Sequence, residues 1–151
     1  MQYHYEVPAY VLDTDVLVAA FRSETGASRQ ILLAALDRRF ELLISVPLML
    51  EYEAVLSRPE HLKGSGASEK DVAEILDGLA LVGKRVRFAF RWRPALLDPN
   101  DDMVLETAVN GHADAIVTFN QRDFESVAGR FSCRVMRPWE FLRVLAGAEN
   151  E

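Results

Sequence analysis

The sequence predicts a three-layer α/β domain built on a mainly parallel sheet of four or five strands. Short apolar runs alternate with longer segments that begin and end on helix-capping residues, as strands alternate with crossover helices. The first run, Val11 to Val18, is apolar except at three positions, which is typical of a strand buried on both faces. A chain of 151 residues forms one domain, with an expected core over about residues 9–145 and a flexible tail over 146–151.

The segments that follow this run read as helix, strand and helix. Ser28 is placed to cap a helix over residues 28–36, and a short apolar strand follows over 42–44. Ser45 starts the next helix, which reaches residue 56 and has a proline in its first turn, where proline is favoured.

The middle of the chain contains a loop, a helix and a strand. Glycine and serine cluster over residues 63–67, which predicts a flexible loop. Ser68, with Asp71 three residues later, opens a helix that Gly83 ends. Residues 84–93 are expected to form a strand, because apolar and basic side chains alternate there with a period of two.

The last third of the chain repeats the alternation. Asn100 is placed to cap a helix over residues 101–111, and short strands follow over 115–118 and 134–135. A final helix is expected over 138–145. Strands separated by helices are connected in parallel, so the carboxyl ends of the strands meet at one edge of the sheet.

Composition narrows the classes of protein that fit. The formal net charge is −6, which argues against a general nucleic-acid coat protein but permits an enzyme with an acidic cleft. No apolar run approaches the ~18 residues of a membrane helix, and the first residues show no signal-peptide pattern. Cys133 is the only cysteine, so it forms neither an internal disulfide nor a thiolate zinc site. We therefore expect a cytoplasmic protein with no membrane partner.

Acidic residues that are far apart in the sequence are predicted to converge on the carboxyl edge of this sheet. Asp13 and Asp15 close the first apolar run, Glu51 lies in the helix after the second strand, and Asp98 and Asp101 lead into a later helix. Carboxylates crowded together repel one another and raise each other's pKa. A site without Lys or Arg between its carboxylates is suited to a hard divalent cation, and metal-dependent phosphodiester chemistry is the leading interpretation.

Four stretches in order carry a resemblance to a known family: Val11–Leu17, Ile44–Glu51, Asp98–Leu105 and Ala115–Asn120. Together they resemble PIN-domain ribonucleases, in particular the toxins of toxin–antitoxin pairs (VapC-type and relatives), over about residues 9–124. The resemblance implies a three-layer α/β/α PIN-like fold and an endoribonuclease that uses Mg²⁺ or Mn²⁺. It also implies an RNA substrate, a cognate antitoxin protein and a homodimer.

The resemblance also assigns roles to the acids. Asp13, Glu51 and Asp101 take the catalytic positions, and Asp102 is the alternative to Asp101. We assign Asp13 and Asp101 as direct metal ligands, because they lie on opposite sides of the expected cleft. Glu51 and Asp98 then complete the metal shell, directly or through water, since Mg²⁺ retains several waters.

Two positions depart from the family pattern. The family usually has Asn two residues after the first acid, where this chain has Asp15, and an acid where this chain has Asn120. The amide of Asn120 brings no negative charge, but Asp15 restores the number of acidic side chains in the site if it faces the same cleft. Thr14 and Thr118 are candidates for hydrogen bonds that hold the carboxylates.

The basic residues of the strand over 84–93 allow two interpretations. Arg85, Arg87 and Arg91 lie on one face and can bind an RNA backbone. Alternatively, the charges protect an edge strand from aggregation.

Two rival functions remain at the level of sequence. One is a PIN fold that no longer cleaves and serves as an RNA-binding or protein-interaction module, an alternative that Asn120 keeps open. The other is a haloacid-dehalogenase-type phosphatase, which the order Asp13-Thr14-Asp15-Val16 after a strand resembles. That family also needs a downstream lysine and a pair of acids after a later strand. Here the paired acids Asp101 and Asp102 precede a helix instead.

Overall fold

Strands and helices alternate in the computed structural model, which describes residues 7–88 and 99–149. The strands are β1 (Ala9–Leu12), β2 (Glu41–Ile44), β3 (Lys84–Arg85), β4 (Ala115–Val117) and β5 (Arg134–Met136). The helices are α1 (Thr14–Arg22), α2 (Ala27–Leu36), α3 (Val46–Leu56), α4 (Pro59–Ser65), α5 (Glu69–Val82), α6 (Pro99–Asn110), α7 (Gln121–Ala128) and α8 (Pro138–Glu149).

The strands form a five-stranded sheet in the order β3-β2-β1-β4-β5, and every neighbouring pair is parallel. Tyr10 of β1 is in register with Leu42 on one side and Ala115 on the other. The predicted α/β fold class with a parallel sheet is confirmed. The strand order reverses between β1 and β4, and ligands of open parallel sheets bind beyond the carboxyl ends of the strands at such a point.

The core is made by the sheet and the helices that pack on it. Val11, Leu43 and Ile116 are fully buried at the centre of β1, β2 and β4. α6 packs against all three of these strands and is buried along Val104–Ala108. In the described part of the chain, no helix has the length and apolarity needed to span a bilayer.

The first predicted strand is shorter than expected. β1 ends at Leu12, and the rest of the apolar run, which we assigned to the strand up to Val18, begins α1 instead. Asp13 caps this helix by accepting a hydrogen bond from the backbone N–H of Thr14. A short apolar run fits a buried strand or a buried helix face equally well, so the pattern alone did not reveal the boundary.

Other boundaries also differ from the prediction. The expected loop over 63–67 is helical up to Ser65, because α4 begins at Pro59 and ends on Gly66 in the left-handed conformation, at φ 75°. Gly26 rather than Ser28 precedes α2. α6 begins at Pro99 rather than beyond Asn100, and α8 continues past residue 145 to Glu149. The capping box of Ser68 and Asp71 on α5 is present as predicted.

Two further differences lie near the carboxyl edge. Of the strand expected over 84–93, the described residues 84–88 form a strand at Lys84–Arg85, and residues 89–93 lie outside the described part of the chain. α7 has no counterpart among the predicted elements. The sequence of α7 is short and mostly polar, so its few apolar residues do not give a recognisable helical pattern.

Candidate functional site

Asp13 lies at the point where β1 passes into α1, beside β4. Its backbone N–H donates to the carbonyl of Val117 at 2.9 Å and so extends the strand pairing by one residue. Its carboxylate accepts two hydrogen bonds, one at Oδ1 from the Thr14 N–H at 2.8 Å and one at Oδ2 from the Thr118 hydroxyl at 2.7 Å. Only 5% of Asp13 is exposed. The carboxylate is therefore fixed in one orientation and largely removed from water.

Thr118 follows β4 and organises the loop that faces Asp13. It is fully buried, and its backbone N–H donates to the carbonyl of Met136 at 2.9 Å. The Thr118 hydroxyl oxygen lies 2.7 Å from Oδ2 of Asp13 and 3.4 Å from Oδ2 of Asp15. Because a hydroxyl has a single proton to donate, Thr118 donates it to Asp13. The same oxygen accepts the backbone N–H of Asn120 at 2.9 Å. Thr118 thus links the loop after β4 to the end of β1.

Asp15 lies in the first turn of α1 and faces the same loop. Its Oδ2 accepts hydrogen bonds from the Phe119 N–H at 3.1 Å and from the Asn120 side-chain amide at 3.1 Å. Its Oδ1 is buried and accepts no hydrogen bond from any side chain or backbone group in the described residues. The structure therefore brings Asp13, Asp15 and Asn120 together at the point where the strand order reverses.

The two carboxyls are hard to ionise without a compensating charge. Burial raises the pKa of Asp13 to about 7, the negative charge of Asp15 adds to the rise, and the hydrogen bonds from Thr118 and Thr14 offset part of it. Burial likewise raises the pKa of Asp15 to about 6, while hydrogen bonds from the Phe119 N–H and, when Asp13 is protonated, from the Asp13 carboxyl lower it. A cation between the two carboxylates would remove this penalty.

Tyr52 is a contact to the site that the sequence did not reveal. It is buried in α3, and its hydroxyl donates to the backbone carbonyl of Leu12, the residue before Asp13. Burial raises its pKa well above the usual value, and the charge of Asp13 raises it further. This bond ties α3, which carries Glu51, to the end of β1. A tyrosine in an apolar helix is typical of core packing, so the pattern gave no reason to select it.

Glu51 faces a groove between α3 and α6. The groove has a volume of about 480 Å³, and its lining residues are Val46, Pro47, Leu50, Glu51, Ala54, Phe88, Met103 and Glu106. Glu106 is 1% exposed and was not among the predicted site residues. A glutamate inside a helix stretch that is otherwise apolar or small is a signal that sequence reasoning could have used, since charged residues are seldom fully buried.

A buried hydroxyl pair fixes α6 relative to the carboxyl edge of the sheet. Ser45 immediately follows β2, and its hydroxyl lies 2.7 Å from that of Thr107 in α6. The Thr107 hydroxyl also lies 2.7 Å from the carbonyl of Met103. Because α6 runs on into the start of β4, its amino-terminal half extends beyond the carboxyl edge. The backbone of Asp101 and Asp102, in the first turns of α6, therefore lies at this edge.

The remaining predicted metal ligands lie outside what the structure describes. Asp98 falls in the gap between residues 88 and 99, and the side chains of Asp101 and Asp102 are not described. Among the side chains that are described, no three acids, histidines or cysteines form a ready metal cage. The predicted roles of Asp13, Glu51, Asp98 and Asp101 as ligands stay predictions.

The basic strand also reaches the carboxyl edge. Arg85 is in register with Ile44, the last residue of β2, and Val86 donates its N–H to the Ile44 carbonyl at 2.7 Å. Val86 is buried, while Arg85 and Arg87 are exposed, as the period of two predicts. Arg91 lies outside the described residues.

The donors present fit a hard divalent cation. Asp13 and Asp15 offer carboxylate oxygens, the ligand type that Mg²⁺ and Mn²⁺ prefer. The buried Oδ1 of Asp15, which lacks a donor within the described chain, is the kind of polar atom that a bound ion satisfies.

Comparisons with known proteins give a family and a fold. Residues 9–122 match the family described as PIN domain. The structure resembles the crystal structure of VapBC2 from Rickettsia felis bound to a DNA fragment from their promoter, with a TM-score of 0.59 and 15% identity. The alignment covers 85% of this chain and 98% of that one. A comparison with curated protein sequences gave no match.

Proposed function

Because this chain belongs to the PIN-domain family, we propose that it is a metal-dependent endoribonuclease and the toxin of a type II toxin–antitoxin pair. One observation supports this proposal most. Two carboxylates, Asp13 and Asp15, lie side by side at the point where the strand order reverses, and one buried oxygen of the pair has no donor among the described residues. Such a pair is suited to a divalent cation and poorly suited to a purely structural role.

Hydrolysis of a phosphodiester needs an activated water, a neutralised phosphate and a stabilised leaving oxygen, and bound Mg²⁺ or Mn²⁺ supplies these. In this chain Asp13 would hold the ion with its carboxylate, whose orientation Thr14 and Thr118 already fix. Asp101 would hold it from the opposite side, at the start of α6. Glu51 would complete the shell or orient a water, and Asp98 would do the same.

The RNA backbone would approach along the carboxyl edge. Arg85 and Arg87 are exposed at this edge and can pair with phosphates, which are otherwise repelled by the acidic site. The groove between α3 and α6 provides room next to Glu51, with apolar walls such as Phe88 and Met103. Its apolar walls are suited to contact with sugars or bases.

The proposed partners follow from the family and the neighbouring fold. The solved structure that this chain resembles is of VapBC2 with a DNA fragment from their promoter. We propose by this likeness that the chain pairs with a small antitoxin protein and forms a homodimer in the cytoplasm. Purification of the chain together with its genomic neighbour tests the pairing.

A cleavage assay tests the proposed activity. The full chain is incubated with labelled single-stranded RNA and Mn²⁺, and in parallel with EDTA, single-stranded DNA or a phosphate monoester. We expect RNA cleavage that requires Mn²⁺ and falls by at least about a hundredfold in Asp13→Asn, because a metal contributes several kcal/mol to such a step. Asp77→Asn removes the same charge from an exposed site on α5 and should cleave normally.

The other outcomes distinguish the rival functions. RNA binding without cleavage by the wild-type chain would contradict the proposal and favour a binding module. Hydrolysis of the phosphate monoester alone would favour a phosphatase.

A further inference from the structure

We propose that Asp15 is a ligand of the cation site through its Oδ1, and that Asn120 is a positioning residue that holds Asp15 rather than a ligand. The inference rests on the proposed function and deepens it, since it assigns the second carboxylate of the same site. The two carboxylate oxygens of Asp15 differ in their hydrogen bonding: Oδ2 accepts hydrogen bonds from the neighbouring loop, and Oδ1 accepts none within the described residues.

The Oδ2 oxygen of Asp15 is already occupied. The Phe119 N–H and the Asn120 amide each donate to it at 3.1 Å, and the Thr118 hydroxyl lies 3.4 Å away. Two N–H donors from one loop fix both the position and the rotation of the carboxylate group. Oδ2 is therefore the oxygen that anchors the side chain.

The Oδ1 oxygen of Asp15 is in the opposite situation. It is shielded from solvent and, with both carboxyls ionised, has no hydrogen-bond donor in the described part of the chain. A carboxylate oxygen held in this way is costly unless a positive group approaches it. Asp13, whose own oxygens are held by Thr14 and Thr118, lies next to it and repels it once Asp13 has lost its proton above a pKa of about 7. A divalent cation shared by the two carboxylates satisfies Oδ1 and neutralises the pair.

The orientation of Asn120 follows from its partners. Its backbone N–H donates to Thr118, and its side-chain amide faces Oδ2 of Asp15. An ionised carboxylate only accepts hydrogen bonds, so the NH₂ group of Asn120 must face it and the amide oxygen must point away. Asn120 therefore acts on the site through Asp15. The acid and the amide at positions 15 and 120, which depart from the family pattern, form one hydrogen-bonded pair.

The affinity of the full chain for Mn²⁺, measured by isothermal titration calorimetry, tests the assignment. Asp15→Asn preserves the shape of the side chain but removes the ligand charge, and should weaken Mn²⁺ binding by about tenfold or more. Its melting temperature without metal should stay the same or rise, because the repulsion within the pair is gone. Glu125→Gln removes one charge from an exposed position of nearby α7 and should change neither quantity.

Substitutions of Asn120 test its positioning role. Asn120→Ala removes the donor to Oδ2 and should weaken Mn²⁺ binding by about tenfold, as the loss of a group that orients a ligand does. Asn120→Asp sets a third carboxylate against Oδ2 and should lower the melting temperature without metal by several degrees. A purely structural Asn120 would lower the melting temperature in both variants and leave Mn²⁺ affinity unchanged.

The results separate this inference from the proposed function. If Asp13→Asn abolishes Mn²⁺ binding while Asp15→Asn and Asn120→Ala retain wild-type affinity, the assignment of Asp15 is wrong and the metal site stands. If Asn120→Asp tightens Mn²⁺ binding without destabilising the metal-free chain, Asn120 occupies a ligand position and the inference is overturned. If the wild-type chain binds no Mn²⁺, both proposals fail. Should Asp15→Asn fail to fold, Asn120→Ala decides the question.

Discussion

At the scale of single residues, helix capping accounts for part of the carboxylate pair formed by Asp13 and Asp15, but not for all of it. Helix capping explains why Oδ1 of Asp13 faces the Thr14 N–H, and acids are favoured at the start of any helix. Capping does not explain the buried oxygen of Asp15 that lacks a donor among the described groups. This buried oxygen favours a positive ligand at the pair, as we propose.

The pKa of Asp13 predicts how metal-free stability depends on pH. Its pKa is raised from the ordinary 3.8 to about 7, so between these values the folded chain keeps a proton that the unfolded chain has lost. The free energy of unfolding should therefore fall as pH rises from about 4 to 7 and level off above. The raised pKa of Asp15 acts in the same direction.

Melting curves of metal-free wild-type and Asp13→Asn protein across this pH range check the prediction. The variant should gain in melting temperature relative to wild type as pH rises, whereas Asp77→Asn should follow wild type. A difference between Asp13→Asn and wild type that does not vary with pH would mean that Asp13 is already ionised in the metal-free chain.

At the scale of elements, prediction from sequence succeeded where local chemistry determines a boundary. Ser45 caps α3 as expected, because its hydroxyl accepts from the Leu48 N–H at 3.3 Å. The boundary between β1 and α1 was misplaced, because buried residues such as Val16 and Leu17 continue the apolar run of the strand. Burial of the segment on all sides is a tertiary property that an apolar run does not distinguish.

The prediction at this scale concerns two exposed arginines, Arg85 in β3 and Arg87 just after this strand. Arg85→Gln together with Arg87→Gln should weaken binding of single-stranded RNA and reduce the slope of log affinity against log salt by about 1 to 1.5. The melting temperature should be almost unchanged, because both side chains are exposed. Fluorescence anisotropy in a salt series measures both quantities for binding.

A matched double variant controls for net charge. Arg134 begins β5 at the amino edge of the sheet, and Arg130 lies in the 3-10 turn (Gly129–Phe131) before this strand. Both side chains are exposed, and their replacement by Gln should leave the salt slope intact. An unchanged slope in the Arg85 and Arg87 variant would leave protection of an edge strand as the role of these charges.

At the scale of the whole molecule, parallel connection explains how residues distant in sequence meet. Asp13 and Thr118 are 105 positions apart, yet they directly follow neighbouring strands and share a hydrogen bond of 2.7 Å. This convergence was predictable, because the carboxyl ends of parallel strands share an edge. The contacts of Tyr52 and Glu106 could not be predicted from the sequence, because they depend on how α3 and α6 pack on the rest of the fold.

The melting temperature with and without Mn²⁺ is the measurement that tests the central claim most directly. A cation that binds only the folded chain raises the melting temperature by linkage, and here it also relieves the repulsion between Asp13 and Asp15. The wild-type chain should melt several degrees higher in millimolar Mn²⁺, and Asp13→Asn should lose most of that shift while Asp77→Asn keeps it. A wild-type chain whose melting is indifferent to millimolar Mn²⁺ and Mg²⁺ would contradict a metal site at the carboxylate pair.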